Sequence, residues 1–181
     1  SSDLEEVSAA KAIWEKTKPA TGSLAFEQLA SLLSHEHKTI VQAELLVSLC
    51  GSENRKKKYQ TYSLPKRRGG YRTIEVPEPT LRWVQSCILQ AFSSLFRPHK
   101  CAHGFVEQRG ILTHAKVHAG HKWIFVTDLR DFFPSIHWGR IYAMLQKKPI
   151  EASVDVARII ANLTTNKGHL PQGAPTSPLL S

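Results

Sequence analysis

Apolar positions recur at helical spacing through the first fifty residues, alternate with polar ones between residues 59 and 76, and return to helical spacing after residue 80. Asp3, Glu5 and Glu6 suit a helix N-terminus, where the macrodipole favours negative charge, and Ala9, Ala12 and Ile13 carry that helix to a break at Pro19–Gly22. Ser23 opens a second helix with Phe26, Leu29, Leu32 and Leu33 on one face. A third runs from Thr39 to Leu49, turns Ile40, Ala43, Leu46 and Val47 inward, and stops at Gly51. Tyr59–Leu64 and Tyr71–Val76 alternate as strands on either side of Pro65-Lys66-Arg67-Arg68-Gly69-Gly70, which reads as a β-hairpin with basic residues at its tip. Pro77 and Pro79 close the second strand. Leu81, Val84, Ile88, Phe92 and Leu95 then line one side of an amphipathic helix ending near Pro98.

Trp123-Ile-Phe-Val-Thr127 is aromatic and β-branched without a turn residue, so it reads as a short buried strand ending at Asp128. Pro134 and Ser135 end this segment, with Ser135 placed to cap the next helix, Ile136–Gln146, whose Ile141, Met144 and Leu145 point inward. Pro149 breaks it. Glu151–Leu163 is a further helix, with Val154, Ala157, Ile160 and Ala161 periodic. A loop rich in Gly and Pro, from Gly168 to Pro178, follows, and Ser177-Pro178 reads as cap and first turn of another helix. The mixture of helices and strands is α/β in class, with an α+β arrangement. An acid held at the end of a strand is a candidate metal ligand, because a rigid element keeps it in place.

Charge changes this picture. The chain of 181 residues carries a net +9, and the segment from Asn54 to Arg82 holds nine Lys/Arg against Glu75 and Glu78. Such clustering suits a polyanion, either a nucleic acid or a nucleoside triphosphate, although a solvated basic face would read the same way. Arg109 and Lys116 add to the basic surface, and Arg82 belongs to the basic segment. No run approaches the ~20 apolar residues of a membrane span, and the three cysteines, Cys50, Cys87 and Cys101, lack zinc spacing. They read as reduced core residues of a cytoplasmic protein. Four histidines (His103, His114, His118 and His121) invite a metal reading, and His114 and His118 stand at i, i+4. With no acidic or cysteine partner nearby, a plain helix accounts for them better.

Three segments, in order, resemble the fingers and palm motifs of reverse transcriptases, especially bacterial ones of the retron type. They are Lys66-Arg-Arg-Gly-Gly-Tyr-Arg-Thr-Ile-Glu-Val-Pro77 with Arg82-Trp-Val-Gln85, Asp128-Leu-Arg-Asp-Phe-Phe-Pro-Ser-Ile136, and Leu170-Pro-Gln-Gly-Ala-Pro-Thr-Ser-Pro178. His103-Gly-Phe105 with Arg109-Gly-Ile111 resembles a linking motif of these enzymes, although His114-Ala115 stands where relatives often have Asn-Ala. The resemblance runs from Tyr59 to Ser181. It implies fingers (54–122) and part of the palm (123–181) of the right-hand polymerase fold, following the helical segment (1–53) that the periodicity predicts. It also implies RNA-directed DNA polymerase activity, with an RNA template, a DNA or RNA primer, dNTPs and two magnesium ions.

Residue by residue, the resemblance implies that Asp128 is a catalytic metal ligand helped by the carbonyl of Leu129. It places Lys66, Arg72, Asp131, Phe132, Phe133, Gln172 and Gly173 around the nucleotide, with Phe133 against a ribose 2′-hydroxyl; a core aromatic is the plainer reading of Phe133. Arg67 and Arg68 are alternatives to Lys66, and with Arg82, Arg109 and Lys116 they are candidate nucleic-acid contacts. The family's Tyr-x-Asp-Asp hairpin is not in this sequence, and the acids after Asp131 are only Glu151 and Asp155. The chain is therefore expected to be a fragment that is inactive by itself, lacks the rest of the palm and the thumb, and exposes a palm edge that favours self-association. A non-catalytic nucleic-acid-binding module is the alternative, as is an intron-like or defence-associated reverse transcriptase.

Overall fold

The computed structural model describes Leu29, Leu33, Ala43–Cys50, residues 58–66 and residues 69–181. The first predicted helix, most of the second and the start of the third lie outside the described residues, as do Arg67 and Arg68. The described elements run α1 (Ala43–Cys50), β1 (Tyr59–Pro65), β2 (Tyr71–Pro77), α2 (Pro79–Ser93), α3 (Ile111–His118), α4 (Trp138–Leu145) and α5 (Val154–Thr164). This is the mixed helix-and-strand class that the periodicities predict.

The hairpin forms in the expected register. β1 and β2 pair antiparallel from Tyr59 opposite Pro77 to Pro65 opposite Tyr71. At the tip, Lys66 N–H donates to Gly70 O (2.9 Å) and Gly69 N–H to Lys66 O (3.1 Å). Gly69 and Gly70 take φ of 87° and 79°, a region costly for other residues.

α2 follows directly, and its start depends on Glu78. That carboxylate accepts from Leu81 N–H at 2.9 Å and Thr80 N–H at 3.4 Å, satisfying donors that a helix start leaves unpaired. The apolar stripe of α2, including Leu81, Val84, Ile88 and Phe92, is buried with Val156, Ala157 and Ile160 of α5 and Ile141 and Leu145 of α4. Leu29 and Leu33, both helical, and Leu46 and Leu49 of α1 join the same core. Burial of this stripe, at ~25 cal/mol per Å² of apolar surface, is the main force holding the helices together. Two polar ties add to it: Gln85 of α2 donates to Leu163 O of α5 (2.7 Å), and Trp138 Nε1 of α4 donates to Asn162 Oδ1 of α5 (2.9 Å).

Several sequence expectations are corrected. Trp123–Thr127 forms no strand and is not buried; Trp123 and Phe125 are each 91% exposed. A strand exists only through its partner's hydrogen bonds, and among the described residues the one sheet is the β1–β2 hairpin. Ser135 does not cap α4, because its hydroxyl donates to Phe132 O at 2.6 Å and closes a turn instead; His137 occupies the N-cap. Ser177 likewise donates back to Pro171 O (2.7 Å), and consecutive turns occupy the expected helix start. Val47 faces outward at 53% exposure, since Leu46 and Leu49 set the buried face of α1. Cys101 is exposed and not in the core, while Cys87 is buried; all three cysteines are free thiols. No described helix is long and apolar enough to cross a membrane.

Candidate nucleotide site

One open cleft of about 980 Å³ gathers most of the residues singled out in the sequence. The hairpin contributes Lys66 and Arg72 on one wall. The segment Asp128–Pro134 forms the opposite wall, including Asp128, Leu129, Asp131, Phe132 and Phe133. Gln172 comes from the Pro-rich loop between them. Residues spread over more than a hundred positions of sequence thus face one space.

Local structure explains each wall. Alternation along β2 sends Arg72 to the open side, where it is exposed, and turns Glu75 inward. Asp131 has a φ of 49°, and Ser135 N–H donates to Asp131 O at 2.9 Å, so the chain reverses sharply after Asp128. Phe133 is half-buried against the core, with its ring centroid 5.5 Å from that of Phe132. It packs on the core and also lines the cleft.

The Gln172 loop is bonded to both walls. Trp138 N–H donates to Gly168 O (2.8 Å) and Leu170 N–H to Ile136 O (3.0 Å), which joins the loop to the turn after Phe133. On the other side, Glu75 N–H of β2 donates to Gln172 O at 2.8 Å. Gly173 lies directly behind this bond, and a Cβ there would stand 2.9 Å from Ile74 Cγ2 and 3.0 Å from Glu75 O. Its φ of 130° is a second reason for glycine.

The structure also adds residues that sequence reasoning missed: Thr73, Glu75, Arg130, Lys167 and His169 all line the cleft. Glu75 is the most informative. It is only 6% exposed, and its carboxylate accepts from Asn166 Nδ2 at 2.7 Å and meets His169 Nε2 at 3.3 Å. The one available sequence signal was its place as one of two acids within a basic run.

Other candidates lie elsewhere. Arg82 on α2, Arg109 in the loop before α3 and Lys116 on α3 do not line this cleft. Arg109 Nη1 donates to the carbonyls of His99 (3.0 Å), Lys100 (3.3 Å) and Ala102 (2.8 Å), bracing that loop. The His114 and His118 Nε2 atoms lie 3.2 Å apart on α3, and the His103 ring is 5.3 Å from that of His114. Partial desolvation, then the charges of His114, Arg109 and His118, hold the His103 imidazole below its usual pKa. Among the described residues, no group of three or more His, Cys, Asp or Glu side chains is arranged to hold a metal ion.

Chemically, a cleft lined by both cations (Lys66, Arg72, Arg130, Lys167) and carboxylates (Glu75, Asp128, Asp131) suits a protein that handles a phosphate chain over oxygen-ligated cations. The chain belongs to the reverse transcriptase (RNA-dependent DNA polymerase) family, whose model matches residues 56–181. It is 36% identical over 137 residues to the retron Mx162 reverse transcriptase of Myxococcus xanthus, an alignment covering 66% of this chain and 28% of that protein. It is 33% identical over 138 residues to the retron Mx65 reverse transcriptase of the same organism (67% and 32% covered). It is 29% identical over 131 residues to the retron Ec83 reverse transcriptase of Escherichia coli (68% and 42% covered). The chain thus spans well under half the length of these relatives.

Proposed function

We propose that this chain supplies the fingers (54–122) and the first part of the palm (123–181) of a retron-type RNA-directed DNA polymerase. The observation that carries the reading is the single cleft that brings Arg72, Asp128, Phe133 and Gln172 together from three distant segments. In this reading Lys66 and Arg72 grip the triphosphate, and the planar guanidinium pairs with two phosphate oxygens at once. Phe133, backed by the core, presents a rigid ring to the sugar and selects dNTPs over ribonucleotides. Gln172 and the close approach allowed by Gly173 position the incoming nucleotide, with Asp131 and Phe132 completing the wall. Arg67, Arg68, Arg82, Arg109 and Lys116 contribute to contacts with the RNA template and primer.

The donors near Asp128 suit magnesium in kind, since a carboxylate and the Leu129 carbonyl are hard oxygen ligands, but they are too few for two ions. Magnesium, when bound, supplies charge neutralisation at the phosphates and acidifies the attacking primer hydroxyl. Asp128, three residues before the turn at Asp131, would hold it. Further carboxylates come, in this reading, from the remainder of a longer polypeptide. The exposed Trp123–Val126 run supports the same idea: it is an unpaired apolar segment suited to join a palm sheet, and it favours self-association when left open.

The test is primer extension on an RNA template by the full-length protein, comparing wild type with Asp128→Asn. Extension is expected to fall about 100- to 1000-fold, as it does when a catalytic electrostatic partner is lost, while salt-sensitive RNA binding persists. Extension at a normal rate by Asp128→Asn removes Asp128 from the metal site. RNA binding without extension by the wild-type protein favours a non-catalytic binding module.

A further inference from the structure

A carboxylate buried beside a cleft built for an anionic substrate works against that substrate unless something else requires it. Glu75 is such a carboxylate, at 6% exposure, on the same strand as Arg72. Its partners account for its presence. Asn166 Nδ2 donates to Oε1 at 2.7 Å, and His169 Nε2 lies 3.3 Å from Oε2. Asn166 and His169 are themselves tied by paired backbone bonds, Asn166 N–H to His169 O (2.8 Å) and His169 N–H to Asn166 O (3.0 Å). The same short loop is bonded to Ile136 and Trp138, just after the Asp131–Ser135 turn. Glu75 N–H completes the arrangement by donating to Gln172 O.

We propose that Glu75, with Asn166 and His169, is a positioning latch that sets the span between the triphosphate-gripping hairpin and the wall that receives the nucleotide's sugar and base. This inference rests on the polymerase reading above. Among the described residues the hairpin has few other ties to that wall, and β1 and the outer half of β2 are exposed. A hairpin is a lever, and Arg72 lies three residues beyond Glu75 towards its tip. Releasing the base of the lever moves the guanidinium most. Gly173 fits the same design, since its missing side chain lets the backbone at Glu75 come within bonding distance of the loop. Glu75 does not touch the reacting atoms in this scheme; it acts through Arg72 and Gln172.

The experiment is single-nucleotide incorporation by the full-length protein on an RNA template, with KM for dNTP and kcat measured separately. Glu75→Ala is expected to raise the dNTP KM about tenfold or more, the scale of effect when positioning is lost by about an ångström. Glu75→Gln, whose amide oxygen still accepts from Asn166, is expected to stay within about threefold of wild type, because the neutral hydrogen bond survives. Ile160→Val, a conservative loss in the buried core, serves as the stability control and is expected to leave KM unchanged. A Glu75→Ala enzyme whose active fraction keeps the wild-type KM overturns the proposal.

A second readout separates this inference from the polymerase reading. In Asn166→Ala, the Glu75 amide is expected to exchange its hydrogen at least about tenfold faster than in wild type, as a locally opened bond does. If wild-type protein incorporates no nucleotide but exchange accelerates in this way, the polymerase reading fails and the latch between hairpin and loop stands. Unchanged exchange overturns the latch whatever the activity.

Discussion

Gln85 offers the sharpest energetic test of how the hairpin is seated. It is wholly buried on α2, and its Nε2 donates both to Tyr59 Oη at 2.8 Å and to Leu163 O at 2.7 Å. Leu163 lies in the last turn of α5, where carbonyls lack an intrahelical partner, so one amide finishes a helix and anchors the base of β1. Gln85→Ala removes both bonds, at about 1 kcal/mol each, and leaves two polar groups and a cavity behind, together costing about 2 kcal/mol more. Against this stands Gln85 Oε1, which is buried without a hydrogen-bond partner among the described residues. Removing it returns about 1 kcal/mol. The net expectation is a loss of about 3 kcal/mol for Gln85→Ala, and about half that for Gln85→Leu, which refills the space.

Equilibrium urea unfolding, followed by tryptophan fluorescence, measures both values. A cycle with Tyr59→Phe isolates the shared bond, for which a coupling of about 1 kcal/mol is expected. A Gln85→Ala variant within about 0.5 kcal/mol of wild type, in the range of neutral surface changes, refutes the reasoning. Strict additivity in the cycle refutes the Tyr59 part alone. The Tyr59 hydroxyl is itself pushed well above its usual pKa, first by burial and further by Glu75, with the Gln85 bond acting the other way.

Gly173→Ala forces a Cβ to within 2.9 Å of Ile74 Cγ2 at a φ of 130°. A loss of about 1–3 kcal/mol in thermal or urea unfolding is expected from the strain, and an unchanged midpoint removes the close approach from the account. Burial pushes the Cys87 thiol from its ordinary 9.0 up to about 11. The folded state therefore keeps a proton that the unfolded chain sheds, so stability is retained below pH 9 and falls as pH rises towards 11. Urea midpoints across that range check the sign. At pH 8, iodoacetamide is expected to label the exposed Cys101 first and Cys87 last, and the reverse order counts against the assigned burial.

Local periodicity was enough to locate most elements. The alternation around Lys66–Gly70 gave the hairpin because each strand's partner lies only a few residues away, and the stripe from Leu81 to Phe92 gave α2 because its spacing is a property of the segment itself. Candidate residues such as Arg72, Asp128 and Gln172 were legible through ordered motifs. Trp123–Thr127 has strand composition yet forms no strand, because a strand depends on a neighbour that no local pattern supplies. Glu75 passed unnoticed for a related reason, since its partners Asn166 and His169 lie 91 and 94 positions away. The sequence by itself determined most of the helices, the hairpin and which side chains are candidates for the chemistry. Only the tertiary structure decided which of them meet, because burial and pairing of a backbone edge or a carboxylate depend on groups brought near by folding.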